Sequence, residues 1–340
     1  MHLFLRCRSP VAGPWQLLGN ADNEWSLAPG IHQKMLAKCW SLPLLTPHAA
    51  RCVLMSTLTL ASDVYLPPSP PTPTATPVVI LPGLYGSKQN WRSVSKSLAT
   101  AAQRPVLPVD LRNHGASPHS PFMSYAAMAD DVLATLASEL PVGNNGAAVL
   151  IGHSMGGRVA MLAAATHPES VAQLVVVDVS PVAAPAGANT MAGYLEALAG
   201  AERLGATRRR DADTYLAAHG VSDPAIRAFL LTNLVANGDG TALRSRINIP
   251  ALREFVADMW DFTLPTTAAD TSVVYAGPTL FVRGGRSGYL PDAHLPALAR
   301  MFPQAQVATM DGCGHWPHAE RPAEFVSIVT SWVGSSSSNT

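Results

Sequence analysis

The sequence predicts an α/β protein: a mostly parallel sheet with helices on both faces. Three observations carry that expectation. From Val78 onward short apolar runs alternate with amphipathic stretches at helical spacing, the pattern of successive βαβ units. The 340 residues are 48% hydrophobic and only 14% charged, which suits a packed core and not a coiled coil or a disordered chain. Finally, 25 glycines and 29 prolines punctuate the alternation with turns.

The first 66 residues differ from the rest of the chain. No acidic residue lies between Glu24 and Asp63, while Lys34, Lys38 and Arg51 supply positive charge among Ser, Thr, Leu and Ala. Such a leader resembles an organelle transit peptide, with a disordered tail as the alternative. Met35 begins a stretch that fits this description better than the first residue does, so residues 1–34 read as an upstream extension. Six prolines between Pro67 and Pro77 then make a stiff spacer, 67–77. The β-rich run Leu58 to Leu66 just before it is a candidate first edge strand.

Six core strands are expected at Val78–Leu81, Pro105–Val109, Ala147–Ile151, Leu174–Asp178, Pro278–Arg283 and Gln306–Thr309, each short and bounded by turn residues. The clearest helix runs from Ser124, a suitable N-cap, to Leu140, with Tyr125, Met128, Val132, Leu133, Leu136 and Leu140 on one face. The alternation breaks between Pro181 and Gly277. Helical stretches at Met191–Leu204, Asp223–Val235 and Ile249–Trp260 mark 182–277 as a helical lid over an active site, inserted into a core formed by 78–181 and 278–334. The last helix, Pro322 to Val333, ends at Gly334, and 335–340 is a frayed tail.

Composition narrows the function. With 23 Lys+Arg against 23 Asp+Glu there is no basic field to attract nucleic acid, and Arg208-Arg209-Arg210 is followed at once by Asp211 and Asp213, as on a solvated helix face. Cys7, Cys39 and Cys52 lie in the leader and Cys313 stands alone in the body, so no disulfide framework or zinc pattern arises there. No apolar run approaches the roughly 20 residues that cross a bilayer.

The chemistry concentrates in Gly152-His-Ser-Met-Gly156, where an apolar strand runs into a glycine-flanked serine and then a helix. This is a G-x-S-x-G nucleophile elbow: the glycines permit a strained turn, and Ser154 is presented at a helix N-terminus. A nucleophilic serine needs a base, and His315 comes after the last strand, able to project over the same sheet edge. His318 is the rival, placed where a surface or capping histidine belongs. The pair has no third ligand at a spacing that would make a metal site. The acid that orients the imidazole has its usual place after the strand Pro278–Arg283, yet that turn carries Ser287. Asp178, at the end of a wholly apolar strand, is the alternative, with Ser287 as a supporting hydrogen-bond partner and Asp292 as a competing acid. The amides of Leu84, in the loop Pro82-Gly-Leu-Tyr-Gly-Ser87, and of Met155 are the candidate oxyanion donors. That loop lacks the Lys-Ser/Thr of a phosphate cradle.

Pro82-Gly-Leu-Tyr-Gly-Ser87, Asp110-Leu-Arg-Asn-His-Gly-Ala-Ser117 with Pro118-His-Ser120, Gly152-His-Ser-Met-Gly-Gly157, Val177-Asp-Val-Ser-Pro181 and Gly314-His-Trp316 together resemble one branch of the α/β-hydrolases. That branch contains the mitochondrial abhydrolase domain-containing protein eleven, bacterial acyl-CoA esterases and yeast ethanol acetyltransferases. The resemblance spans roughly residues 77 to 334. It implies an eight-stranded, mostly parallel sheet and a serine esterase or thioesterase acting on a small-molecule acyl ester through Ser154 and His315, with no cofactor. It also places the acid at Asp178, near Ser287, as in the bacterial and yeast members. An acyltransferase passing the acyl group to an alcohol is the alternative, and a non-catalytic binding protein a second one. A mitochondrial address is implied by leader and branch together, with chloroplast or cytoplasm as alternatives. One departure is that the loop begins Pro82-Gly83 where the branch has His-Gly. Arg112-Asn113-His114 looks like a scaffold motif, its histidine organising loops.

Overall fold

A computed structural model of the chain describes residues 57–69, 71, 75–139, 147–182, 188–238, 240–267 and 272–335, together with three short strands near the N-terminus. Those strands, β1 (Leu3–Leu5), β2 (Trp15–Gly19) and β3 (Trp25–Leu27), pair antiparallel in the order β1-β2-β3, within a unit spanning residues 1–56. The rest of the expected leader up to residue 56, and the expected tail beyond Ser335, lie outside the described residues, as do Cys7, Cys39 and Cys52.

The second unit is built on a six-stranded sheet. Its strands are β4 (Val78–Leu81), β5 (Val106–Pro108), β6 (Ala148–His153), β7 (Val171–Val177), β10 (Thr279–Gly284) and β11 (Ala305–Met310), in the order β11-β10-β7-β6-β4-β5 with every pair parallel. Strands this apolar stand in a sheet covered on both sides, because alternate residues must each find a core. Val79, Leu81, Leu150, Leu174 and Val176 face one hydrophobic cluster; Val78, Ile80, Val149, Ile151, Val175 and Val177 face the other. Burying each such side chain contributes about 1.5–3 kcal/mol.

Helices α2 (Tyr125–Glu139) and α3 (Met155–Thr166) belong to the first cluster, and α1 (Arg92–Ala102) and α10 (Pro322–Ser335) to the second. Ser124 caps α2 as its sequence position suggests, its Oγ accepting from the Ala127 amide at 3.1 Å. The terminal helix runs through Gly334 to Ser335 rather than stopping at the glycine.

Among the described residues the sheet has six strands, not the expected eight. Among the described residues the run at 58–66 contributes only two antiparallel bridges, Tyr65 with Val106 in β5 and Ser62 with Val109 just after it. Tyr65 and Val106 exchange both backbone bonds at 2.9 Å, and Asp63 donates to the Pro108 carbonyl at 3.2 Å. Pro108 has no N–H to return, so the ladder breaks there and no continuous strand forms.

The segment between β7 and β10 holds α4 (Ala188–Arg203), α5 (Arg209–Ala218), α6 (Pro224–Leu231) and α7 (Ile249–Asp258). It is not wholly helical. The stretch expected to stay helical to Val235 stops at Leu231, and Leu234–Ala236 (β8) pairs with Leu243–Ser245 (β9) as an antiparallel hairpin. Two short helices complete the unit, α8 (Leu295–Met301) and α9 (Pro317–Glu320). Among the described residues no helix is long and apolar enough to cross a membrane.

Candidate active site

The parallel arrangement brings the C-terminal ends of β4, β6, β7 and β10 to one edge of the sheet, and the polar residues of interest lie just beyond those ends. Ser154 stands between β6 and α3 with φ 51° and ψ −118°. A non-glycine residue keeps such a backbone only when its surroundings hold it. Here the Ser154 amide donates to Val177 O at 3.0 Å, and its carbonyl accepts from the Arg158 amide at 3.1 Å. The flanking glycines are required by contact: a Cβ on Gly152 would lie 2.3 Å from Gly156 O, and one on Gly156 would lie 2.3 Å from Leu81 O.

Asp178 comes directly after β7, also with a positive φ of 51°, and is 0% exposed. Its carboxylate accepts from the Gly284 amide at 2.9 Å, from Ser287 Oγ at 2.5 Å and from His315 Nδ1 at 2.7 Å. Three donors, from the end of β10, the turn after it and the loop after β11, compensate a carboxylate that burial would otherwise penalise. The serine that occupies the usual acid position thus meets the aspartate from the neighbouring strand. Asp292 takes no part in this cluster: its side chain is 82% exposed and pairs with Arg283 Nη1 at 2.6 Å.

His315 is held from several sides. Its ring stacks on Tyr289, with centroids 4.0 Å apart, and its carbonyl accepts from His153 Nε2 at 2.8 Å. Glu320 fixes the loop around it by accepting from the Gly314 amide at 2.9 Å and the Trp316 amide at 3.3 Å. His153, Tyr289 and Glu320 give no local sequence signal, since each acts on a residue distant in the chain or through the backbone.

His318 departs from its expected place on the surface. The turn of α9 directs it inward, where it is 4% exposed and stacks on Trp91 with centroids 4.0 Å apart and planes 4° from parallel. Burial drives its imidazole well below the usual value, and it lowers His153 to about 3, so both rings are neutral near pH 7. His114 is likewise lowered to about 4 by burial. Its Nδ1 donates to Arg112 O at 2.9 Å and its Nε2 accepts from the Tyr85 amide at 3.2 Å, so it organises loops, as the motif suggests.

A cavity of about 270 Å³ opens at this edge, just below the roughly 300–1,000 Å³ of typical small-molecule sites. Ser154, His315 and Leu84 all line it, while Met155 sits buried beside Ser154 at the first position of α3. Met191, Ile226, Phe229 and Trp260, from the segment between β7 and β10, supply apolar wall, and among the described residues no Asp, Glu, Lys or Arg belongs to the lining. Among the described residues no group of three or more His, Cys, Asp or Glu is placed to hold a metal ion.

The comparisons with known proteins agree with this architecture. The sequence profile of the alpha/beta hydrolase fold matches residues 76–322. The mouse sn-1-specific diacylglycerol lipase ABHD11 is 40% identical over 259 residues, covering 75% of this chain and 80% of that protein. A probable alcohol acetyltransferase of Saccharomyces cerevisiae is 33% identical over 267 residues, 76% of this chain and 77% of its own length. The esterase YbfF of Escherichia coli is 31% identical over 257 residues, 76% and 92% of the two chains. Among solved structures, a marine microorganism esterase superposes with a TM-score of 0.71 at 31% identity, covering 81% of this chain and 99% of that one. With a profile match over most of its length, relatives alike across three quarters of it and a serine turn set at the edge of a parallel sheet, the chain belongs to the α/β-hydrolase family.

Proposed function

We propose that this ester hydrolase works through Ser154, His315 and Asp178. Ser154 Oγ attacks the carbonyl carbon of an acyl ester while His315 Nε2 takes its proton, then passes it to the leaving alcohol. Water attacks the acyl-enzyme in the second half, losing a proton to the same nitrogen, which returns it to Ser154 Oγ as the acyl–oxygen bond breaks and the acid departs. Asp178 keeps the Nδ1–H tautomer in place and stabilises the imidazolium. The amides of Leu84 and Met155 receive the charge that develops on the carbonyl oxygen.

One observation carries this reading: a buried carboxylate at the end of β7 accepts from Nδ1 of a histidine that lines the same cavity as the serine. The uncharged, aromatic lining favours a neutral acyl ester, and the mouse relative's name, a diacylglycerol lipase, points the same way. A series of p-nitrophenyl esters of increasing chain length tests it. Hydrolysis abolished by Ser154→Ala and by His315→Ala supports the assignment; activity retained in either variant refutes it.

The yeast relative supplies a second reading, acyl transfer to an alcohol from the same acyl-enzyme. Product analysis with and without ethanol separates the two: free acid alone means hydrolysis, and ethyl ester means transfer.

A further inference from the structure

The segment between β7 and β10 does more than wall the cavity, because one of its side chains grips the loop after β4. Asn233, between α6 and β8, is 1% exposed and donates from Nδ2 to the carbonyl of Tyr85 at 2.8 Å. Its own backbone is anchored, the amide donating to Leu230 O at 3.0 Å and the carbonyl accepting from the Arg246 amide at 2.9 Å.

Tyr85 is tied down at every polar group it has. Besides the bond from Asn233, its amide donates to His114 Nε2 at 3.2 Å, and its hydroxyl donates to Met191 O, in α4, at 2.8 Å. These ties hold a conformation that the residue would not keep alone, since its φ is 62°, in the left-handed region that disfavours side chains. Leu84 immediately precedes it. If Tyr85 leaves the left-handed region, the chain rotates on both sides and the Leu84 amide turns with it.

We propose that Asn233 is a positioning residue for the oxyanion hole. The inserted segment, through this one amide and the Tyr85 hydroxyl, sets the direction of the Leu84 N–H toward the cavity. A leucine would fill the same space, so packing does not account for a buried amide whose donor meets the carbonyl of a strained residue. The inference rests on the serine-hydrolase reading above, and it makes the insertion a contributor to turnover and not to substrate binding alone.

The test separates turnover from binding. In Asn233→Ala, kcat falls about tenfold to a hundredfold, below the loss for an outright removed oxyanion donor, while KM stays nearly unchanged. Affinity for an alkyl trifluoromethyl ketone, which adds to the serine and places an oxyanion in the hole, falls by the same factor as kcat. Tyr85→Phe removes only the Met191 tie and moves both quantities in the same direction by a smaller factor. It provides the answer if circular dichroism shows that Asn233→Ala does not fold. A rise in KM with kcat and ketone affinity unchanged assigns both residues to the cavity wall and overturns the proposal. If the wild type does not bind the ketone and Ser154→Ala keeps full activity, the hydrolase reading itself fails, and this proposal with it.

Discussion

His315 Nδ1 donates to Asp178 Oδ2 at 2.7 Å, joining residues 137 positions apart. The carboxylate sits at the end of β7, not in the turn after β10, where the chain has Ser287. Because β7 and β10 are neighbours in register, with Val177 opposite Val282, the acid and the hydroxyl reach the same point from adjacent strands. Moving the acid across one strand leaves the imidazole with the partner it needs and gives the carboxylate a further hydrogen bond, from Ser287.

Asp178→Asn removes the charge that stabilises the imidazolium and lets the amide favour the wrong histidine tautomer. We predict a fall in kcat on the order of 10⁴-fold with little change in KM, measured by steady-state hydrolysis of a p-nitrophenyl ester. A fall below tenfold would mean that another group orients His315.

Asp292→Asn is the matching control. The side chain is exposed and satisfied by Arg283 alone, so its loss removes one surface ion pair, worth at most about 1 kcal/mol. Turnover within twofold of wild type is the predicted result, and a large loss would restore Asp292 as a catalytic acid.

Acid stability depends on three buried imidazoles. Burial lowers His114 to about 4, His153 to about 3 and His318 well below its ordinary value of 6.5. As pH falls below 6.5 the unfolded chain takes up protons at these sites while the folded chain does not, so stability is lost on acidification. The slope approaches about 1.4 kcal/mol per pH unit for each group near pH 5 and fades out by about pH 8. Urea unfolding across that range measures it. His318→Phe, which keeps a ring against Trp91, should remove one proton's worth of slope; an unchanged slope would place a charged imidazole in the fold.

Carrier selectivity is the fourth expectation. A subsite for the phosphates of CoA would add charge-assisted hydrogen bonds of about 1.5–3 kcal/mol each, or at least tenfold in kcat/KM. Among the described residues the cavity lining has no Lys or Arg for them. A CoA thioester and the N-acetylcysteamine thioester of the same acyl group should therefore differ by less than about tenfold. A larger preference for CoA would reveal a basic subsite beyond the lining.

Much of the fold and the site is legible in the sequence because it is written locally. Apolar runs locate β4, β5, β6, β7 and β10 to within a few positions, and Ser154 announces itself through the glycines that its turn requires. Asp178 is readable by a rule of burial, since a carboxylate closing the apolar run Leu174-Val-Val-Val177 must find donors. The failures are long-range. Nothing near His318 shows that Trp91 waits 227 positions earlier to stack on it, and the missing edge strand depends on Pro108 being the residue that 58–66 would have paired with. Asn233 is similarly silent: an asparagine between two short elements looks like a turn residue until its partner at Tyr85 is seen.

The most direct test of the account is the intact mass of the protein after reaction with a fluorophosphonate. It predicts a single adduct, mapped by peptide sequencing to Ser154 and absent from Ser154→Ala. An adduct on any other residue, or one that survives in that variant, would contradict it.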